Sequence, residues 1–251
     1  MAFITSLHLT IFTLLVVILC GILIGMSKVG VPGVSMIVIP AMAFVFGAKE
    51  STGVLLPILI MADLLSVAYY RRHASWKHLI KVFPWAIIGL LVALWIGKMI
   101  SDEQFKTLIG ILVFLSIGLM LWQDKRKEMF SVPEKWWFAA FMGILGGFAT
   151  MIGNVAGPVF AIYLLAMHLP KNNFIGTTAW FFMIINLTKF PLQIFVWHNI
   201  DLSTLSIDLI ALPGIVAGVY AGIKIVKIIP EKAYRGFVIA ITALSAFLLL
   251  I

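Results

Sequence analysis

Long apolar runs alternate with short polar ones along the whole chain. Apolar stretches run from about His8 to Met26, Val34 to Phe46, Ser51 to Tyr70 and Leu79 to Ile100, and a fifth continues to Trp122. Most are long enough for a membrane-crossing helix. The polar punctuation between them is brief: GAKE (Gly47 to Glu50), RRHASWKH (Arg71 to His78) and SDE (Ser101 to Glu103). The last is a helix-start signal with acids in the first turn. The longest polar stretch, QDKRKEMFSVPEK from Gln123 to Lys135, divides the chain, and Trp136 and Trp137 behind it read as interfacial anchors. The pattern predicts an all-α polytopic membrane protein of about eight to ten transmembrane or re-entrant segments. It forms one domain over 1–251, with a first repeat over 8–122, a basic connecting loop over 123–137 and a second repeat over 138–251.

The halves repeat. Gly21 to Pro40 reads GILIGMSKVGVPGVSMIVIP, and Gly143 to Ile162 reads GILGGFATMIGNVAGPVFAI. Each opens on GIL and then breaks into a Gly/Pro cluster. Gly176 lies 123 positions after Gly53, and Asn186 lies 123 after Asp63. Further on the offset becomes 129, so that Pro84 matches Pro213 and Gly89 matches Gly218. The piece from His8 to Phe46 is about 58 Å long as helix, too long for one crossing, so it turns back or crosses twice. Each half then makes an odd number of crossings, which predicts inverted repeats. Loop charge agrees: with Arg71 to Lys81 in the cytoplasm, the connecting loop, Lys171 and the Lys224 to Arg235 cluster fall on the same side, and with them most of the 18 Lys and Arg residues.

Composition narrows the function. With 63% hydrophobic and 11% charged residues and a mean hydropathy of +1.13, the sequence leaves no room for a soluble catalytic domain. The net charge of +8 comes from loops between spans and does not point to nucleic acid. The single cysteine, Cys20, excludes an internal disulfide or a thiolate metal cluster. No Lys or Arg precedes the first apolar run, which argues against a cleaved signal peptide. No cofactor and no metal are expected.

Broken helices at lipid depth free backbone groups that survive only against protein or water, and a pair of such breaks in two halves marks a transporter's binding site. The candidates are therefore Ser27, Lys28, Gly30, Gly33 and Ser35 in the first break, and Thr150, Gly153, Asn154 and Gly157 in the second. Freed N–H groups near Gly33 and Gly157 suit an oxyanion. A second set lies on two helical stripes. Asp63, Ser66 and Tyr70 are spaced i, i+3, i+7, and their partners at offset 123 are Asn186, Lys189 and Gln193. Charged groups at this depth are functional candidates by default. Their structural alternatives are a helix–helix hydrogen bond for Asp63 and snorkelling for Lys28 and Lys189. Lys171 reads as a solvated loop lysine. A rival reading, an intramembrane enzyme built on Ser27 in Gly25-Met26-Ser27-Lys28, lacks a histidine at that depth, because His168 and His198 fall at segment ends. A passive anion channel is the stronger alternative.

The two broken segments, the basic central loop and a length of 251 residues resemble the sulfite exporter TauE/SafE family, also called the toluene-sulfonate uptake permease family. The resemblance covers essentially the whole chain. It departs in the first break, where Val31-Pro32 and Val34-Ser35 replace part of a denser glycine run. It implies secondary transport of a small anion (sulfite, a sulfonate or a related organosulfur anion) across the bacterial inner membrane. A proton or sodium ion would be the coupling partner and membrane lipid the surroundings. Direction of transport and oligomeric state stay open.

Overall fold

A helix that runs into a Gly/Pro cluster must stop, and both halves begin this way. In a computed structural model, which describes residues 11–31, 34–125, 136–234, 236–238 and 240, α1 (Ile11–Lys28) ends on its lysine. Gly30 follows with φ +110°, a value glycine adopts without a Cβ clash. A 3-10 turn over Val34–Met36 leads to α2 (Val38–Phe46). Then come α3 (Ala48–Tyr70), a 3-10 turn over Arg71–His73, α4 (Trp76–Met99) and α5 (Asp102–Lys125). The second half follows the same order: α6 (Trp136–Gly153), a stop at Asn154 with φ 57°, α7 (Ala156–Ala166), α8 (Lys171–Leu192) with a π turn over Gln193–Trp197, and α9 (Leu202–Ile228). Residues 231–234 are helical again. Pro32, Gly33 and the connecting loop from Arg126 to Lys135 lie outside the described residues.

Among the described residues all regular structure is helical, and six helices are long and apolar enough to cross a membrane. The two pieces after the breaks are not. With 9 and 11 residues, α2 and α7 reach about 14 and 17 Å, roughly half of the hydrocarbon core. Many exposed side chains on the long helices are large and apolar, for example Phe12, Trp95 and Leu209, as a lipid-facing surface requires. Trp136 and Trp137 are exposed at the start of α6, where interfacial anchors belong.

Packing exchanges helices between the halves. α1 lies against α9, and α4 against α6. Small residues bring the backbones together. A Cβ on Gly218 would stand 2.0 Å from the carbonyl oxygen of Ile22, and one on Gly25 2.4 Å from that of Ile215. The second seam reproduces these contacts. A Cβ on Gly89 would stand 2.0 Å from the Ile144 carbonyl oxygen, and one on Gly147 1.9 Å from that of Ala86. In each seam the contacting residue numbers rise together, so the helices run parallel. At the centre α3 and α8 run antiparallel: Gly53 packs on Asn199, Asp63 meets Asn186, and Gly176 packs on Tyr70 and His73.

The carbonyl facing Gly147 belongs to a helix and cannot swing aside. Gly147→Val is therefore expected to cost at least the ~1–3 kcal/mol typical of overpacking, and to lower the thermal unfolding midpoint in detergent. A Cβ on Gly157 would meet nothing within 4 Å, so Gly157→Val is expected to keep the wild-type midpoint. Equal midpoints for the two variants would refute this assignment of the tight seam.

Candidate functional site

The two stripes and the two breaks meet in one buried network. Lys28, the last residue of α1, places its Nζ 2.8 Å from Oδ1 of Asp63 on α3. The Nδ2 of Asn186 on α8 donates to Oδ2 of the same carboxylate at 2.7 Å. The Oδ1 of Asn186 in turn accepts from Lys189 Nζ at 3.4 Å. Lys189 also donates to Thr150 Oγ1 at 3.3 Å and to Asn154 Oδ1. Lys28 is 7% exposed, and Asp63 and Lys189 are 0% exposed. Neither lysine snorkels. With both lysines protonated and Asp63 ionised, the network carries one net positive charge.

Local sequence explains the placement. On α3 and α8, spacings of three and seven put polar side chains on one face, and antiparallel packing turns the two faces toward each other. Each stripe also ties down the break of its own half. Ser66 Oγ donates to the Lys28 carbonyl at 2.6 Å, and Lys189, its partner at offset 123, reaches Thr150 at the corresponding place in the second break. Opposite Asp63, the Lys28 ammonium stands 4.4 Å from the centroid of the Phe182 ring, a cation–π contact.

Beside the network lies a cavity of about 50 Å³, room for a few water molecules. Ser27, Lys28, Ser35, Thr150, Asn154, Gly157 and Asn186 form its polar wall, and Ile24, Leu59 and Phe182 belong to the apolar wall. The Nδ2 of Asn154 has no hydrogen-bond partner among the described residues. Gly157 lies in the first turn of α7, whose N-cap, Val155, offers no side-chain cap. Unpaired N–H groups and the positive end of the helix dipole therefore face this side. Together these groups can hold a small oxyanion through an ammonium, neutral donors and a helix start.

The remaining candidates fall elsewhere. Asp63 and Lys189 stand behind the wall, within the network. Gly30 is a packing position, where a Cβ would meet Ile175 at 2.6 Å, and its carbonyl accepts from Tyr234 Oη at 3.1 Å. Gly153 faces Ile109. Gln193 sits one turn beyond Lys189, fully buried, with neither side-chain amide atom bonded among the described residues. Gly33 lies outside the described residues. Lys171 differs from its reading as a solvated loop lysine: it is the first residue of α8, and its Nζ donates to the Ile229 carbonyl at 2.7 Å just past α9. Unsatisfied carbonyls at a helix end attract a cation there.

Sequence reasoning did not pick out Thr178 and Phe182, which also line the cavity. Their spacing of four from each other and from Asn186 places them on one face of α8, and that is the signal which identifies them. Among the described residues no histidine lines the cavity; His168 and His198 occupy positive-φ positions after α7 and after the π turn. Among the described residues no three His, Cys, Asp or Glu side chains gather as a metal site requires.

A comparison with curated proteins and one with solved structures give no match. A family model described as sulfite exporter TauE/SafE matches residues 17–249, a span that contains both breaks, both stripes and both glycine seams. The chain belongs to the sulfite exporter TauE/SafE family of membrane transporters.

Proposed function

We propose that the chain is a secondary carrier that moves a small sulfur oxyanion or organosulfur anion, sulfite or a sulfonate, across the bacterial inner membrane by alternating access. The observation that carries this reading is the cavity between the two breaks, walled by Lys28, Asn154 and the start of α7, with Lys189 bonded directly behind it. An anion entering low dielectric needs a compensating positive potential, and this network supplies one net charge when both lysines are protonated and Asp63 is ionised. Protein purified and reconstituted into sealed vesicles is expected to accumulate sulfite or a small sulfonate against its gradient when a proton or sodium gradient is imposed. Flux that only runs downhill would select the channel instead. No flux across a panel of such anions would remove the reading altogether.

Alternating access through inverted repeats fits the antiparallel course of α3 and α8, the carriers of the matched stripes. Under this proposal the loop holding Ser131, which lies outside the described residues, is cytoplasmic, and Ser203 at the start of α9 is outside. Ser131→Cys and Ser203→Cys, each in a Cys20→Ala background, are expected to differ in labelling by an impermeant thiol reagent on whole cells, with only the second reacting. Equal labelling would exclude inversion.

A further inference from the structure

α9 packs against both α1 and α3, and Asp208, on its second turn, is 0% exposed. Asp208, Ala211 and Ile215 share one face at i, i+3, i+7. Ala211 and Ile215 are the residues against which Gly21 and Gly25 of α1 pack. The carboxyl thus sits one turn along the α1–α9 seam from its close backbone contacts. At least ten residues of helix, about 15 Å or more, separate its level from Lys28, so it is not part of the network described above. Neither carboxyl oxygen has a hydrogen-bond partner among the described residues. Of the titratable groups on the packed elements, none among the described residues forms a hydrogen bond or ion pair with Asp208. On α1 they are the Cys20 thiol and Lys28, which is paired with Asp63. On α3 they are Lys49 and Glu50 in the first turn, Asp63 near the middle, and Tyr69 and Tyr70 at the far end.

Packing does not require a carboxyl at this place. The corresponding position of the sister seam, 129 residues earlier, is Leu79, buried on α4. The same architecture therefore closes on an apolar side chain in one seam and on an acid in the other. An ionised carboxylate left unpaired there costs several kcal/mol, and one bound proton removes the charge. We propose that Asp208 is a proton-binding site, and that the closed α1–α9 seam is its protonated state. Opening the seam lets water in, and the proton passes from the carboxyl oxygen to that water, leaving a solvated carboxylate. Resting on the carrier reading above, the same proton is the coupling ion for anion movement.

The first test needs no substrate. Thermal unfolding midpoints of the purified wild type, Asp208→Asn and Asp208→Leu are measured from about pH 5 to about pH 9. The asparagine variant keeps the shape without the titration, and the leucine variant copies the sister seam. Either one alone suffices if the other does not fold. The wild type is expected to lose stability relative to the variants as pH rises, so that the midpoint curves diverge. Parallel curves would overturn the proposal. The second test uses sulfite in proteoliposomes with an imposed pH gradient, each unit of which is worth up to about tenfold for one coupled proton. Asp208→Asn is expected to lose that stimulation while retaining downhill sulfite exchange. A variant that responds to the gradient as the wild type does would overturn the coupling role. If the wild type moves neither sulfite nor any small sulfonate of the panel, the carrier reading fails, and the midpoint curves still decide the proton site.

Discussion

Lys189→Ala is expected to weaken anion binding by about tenfold or more, since a buried hydrogen bond to a charged group is worth about 1.5–3 kcal/mol. The loss has two sources. The positive charge behind the cavity disappears, and Thr150 and Asn154 lose the donor that fixes them in the wall. Lys189→Arg is expected to restore binding only in part, because a planar fork replaces a compact ammonium. The comparison variant is Lys106→Ala, which removes an exposed charge on α5; its effect is expected to be small and to fade with salt. Lys171 is unsuited to that role, because removing it uncaps the end of α9. Equilibrium binding of sulfite to the purified variants at two salt concentrations measures the effect. Wild-type affinity in Lys189→Ala would leave Lys28 and neutral donors to hold the anion.

Asp63→Ala is expected to destabilise the protein by about 3–5 kcal/mol, the usual cost of stripping one partner from a buried ion pair. Two ammonium groups would then remain in one network, with only Asn186, Thr150 and Asn154 as neutral neighbours. The double variant Lys28→Met with Asp63→Leu removes the pair as a unit. Such replacements are often neutral or stabilising, so its unfolding midpoint is expected to return close to that of the wild type while sulfite transport stays absent. Midpoint and transport are read on the same preparation. A double variant that still transports would show that the Lys28–Asp63 pair is scaffolding.

The parts of this arrangement that were legible in the sequence are those with a period or a repeat. Apolar run lengths gave the helical membrane class. The Gly/Pro clusters gave the breaks, because no other residue types interrupt a helix so reliably. The stripes on α3 and α8 could be read because three polar residues recur at helical spacing and at one offset. Tertiary pairing was not legible. Nothing local in GILIG says that Gly25 meets Ile215 rather than another helix, since small residues suit any close neighbour. Phe182 looked like one more apolar residue until the fold placed a lysine over its ring. Asp208 carried no such signal: it is a single acid in a span, and its repeat mate is a leucine. Lys171 followed a proline in a polar turn and gave no sign that the end of α9 would lie within its reach.

The exchange of helices between halves also sets a timetable. As the chain is synthesised, α1 enters the bilayer before the other described helices α2 to α8, yet its packing partner α9 follows all of them. At about 5–20 residues per second, α1 waits roughly 10–35 s for the surface that its glycines fit. During that wait lipid must cover the face on which its glycines lie, and a mean hydropathy of 2.4 over its 18 residues suits it to that contact. The α4–α6 seam needs only the intervening α5 and the connecting loop, so it is available earlier. Of the two glycine seams, the one in the middle of the chain therefore closes first and the one that takes in α1 closes last.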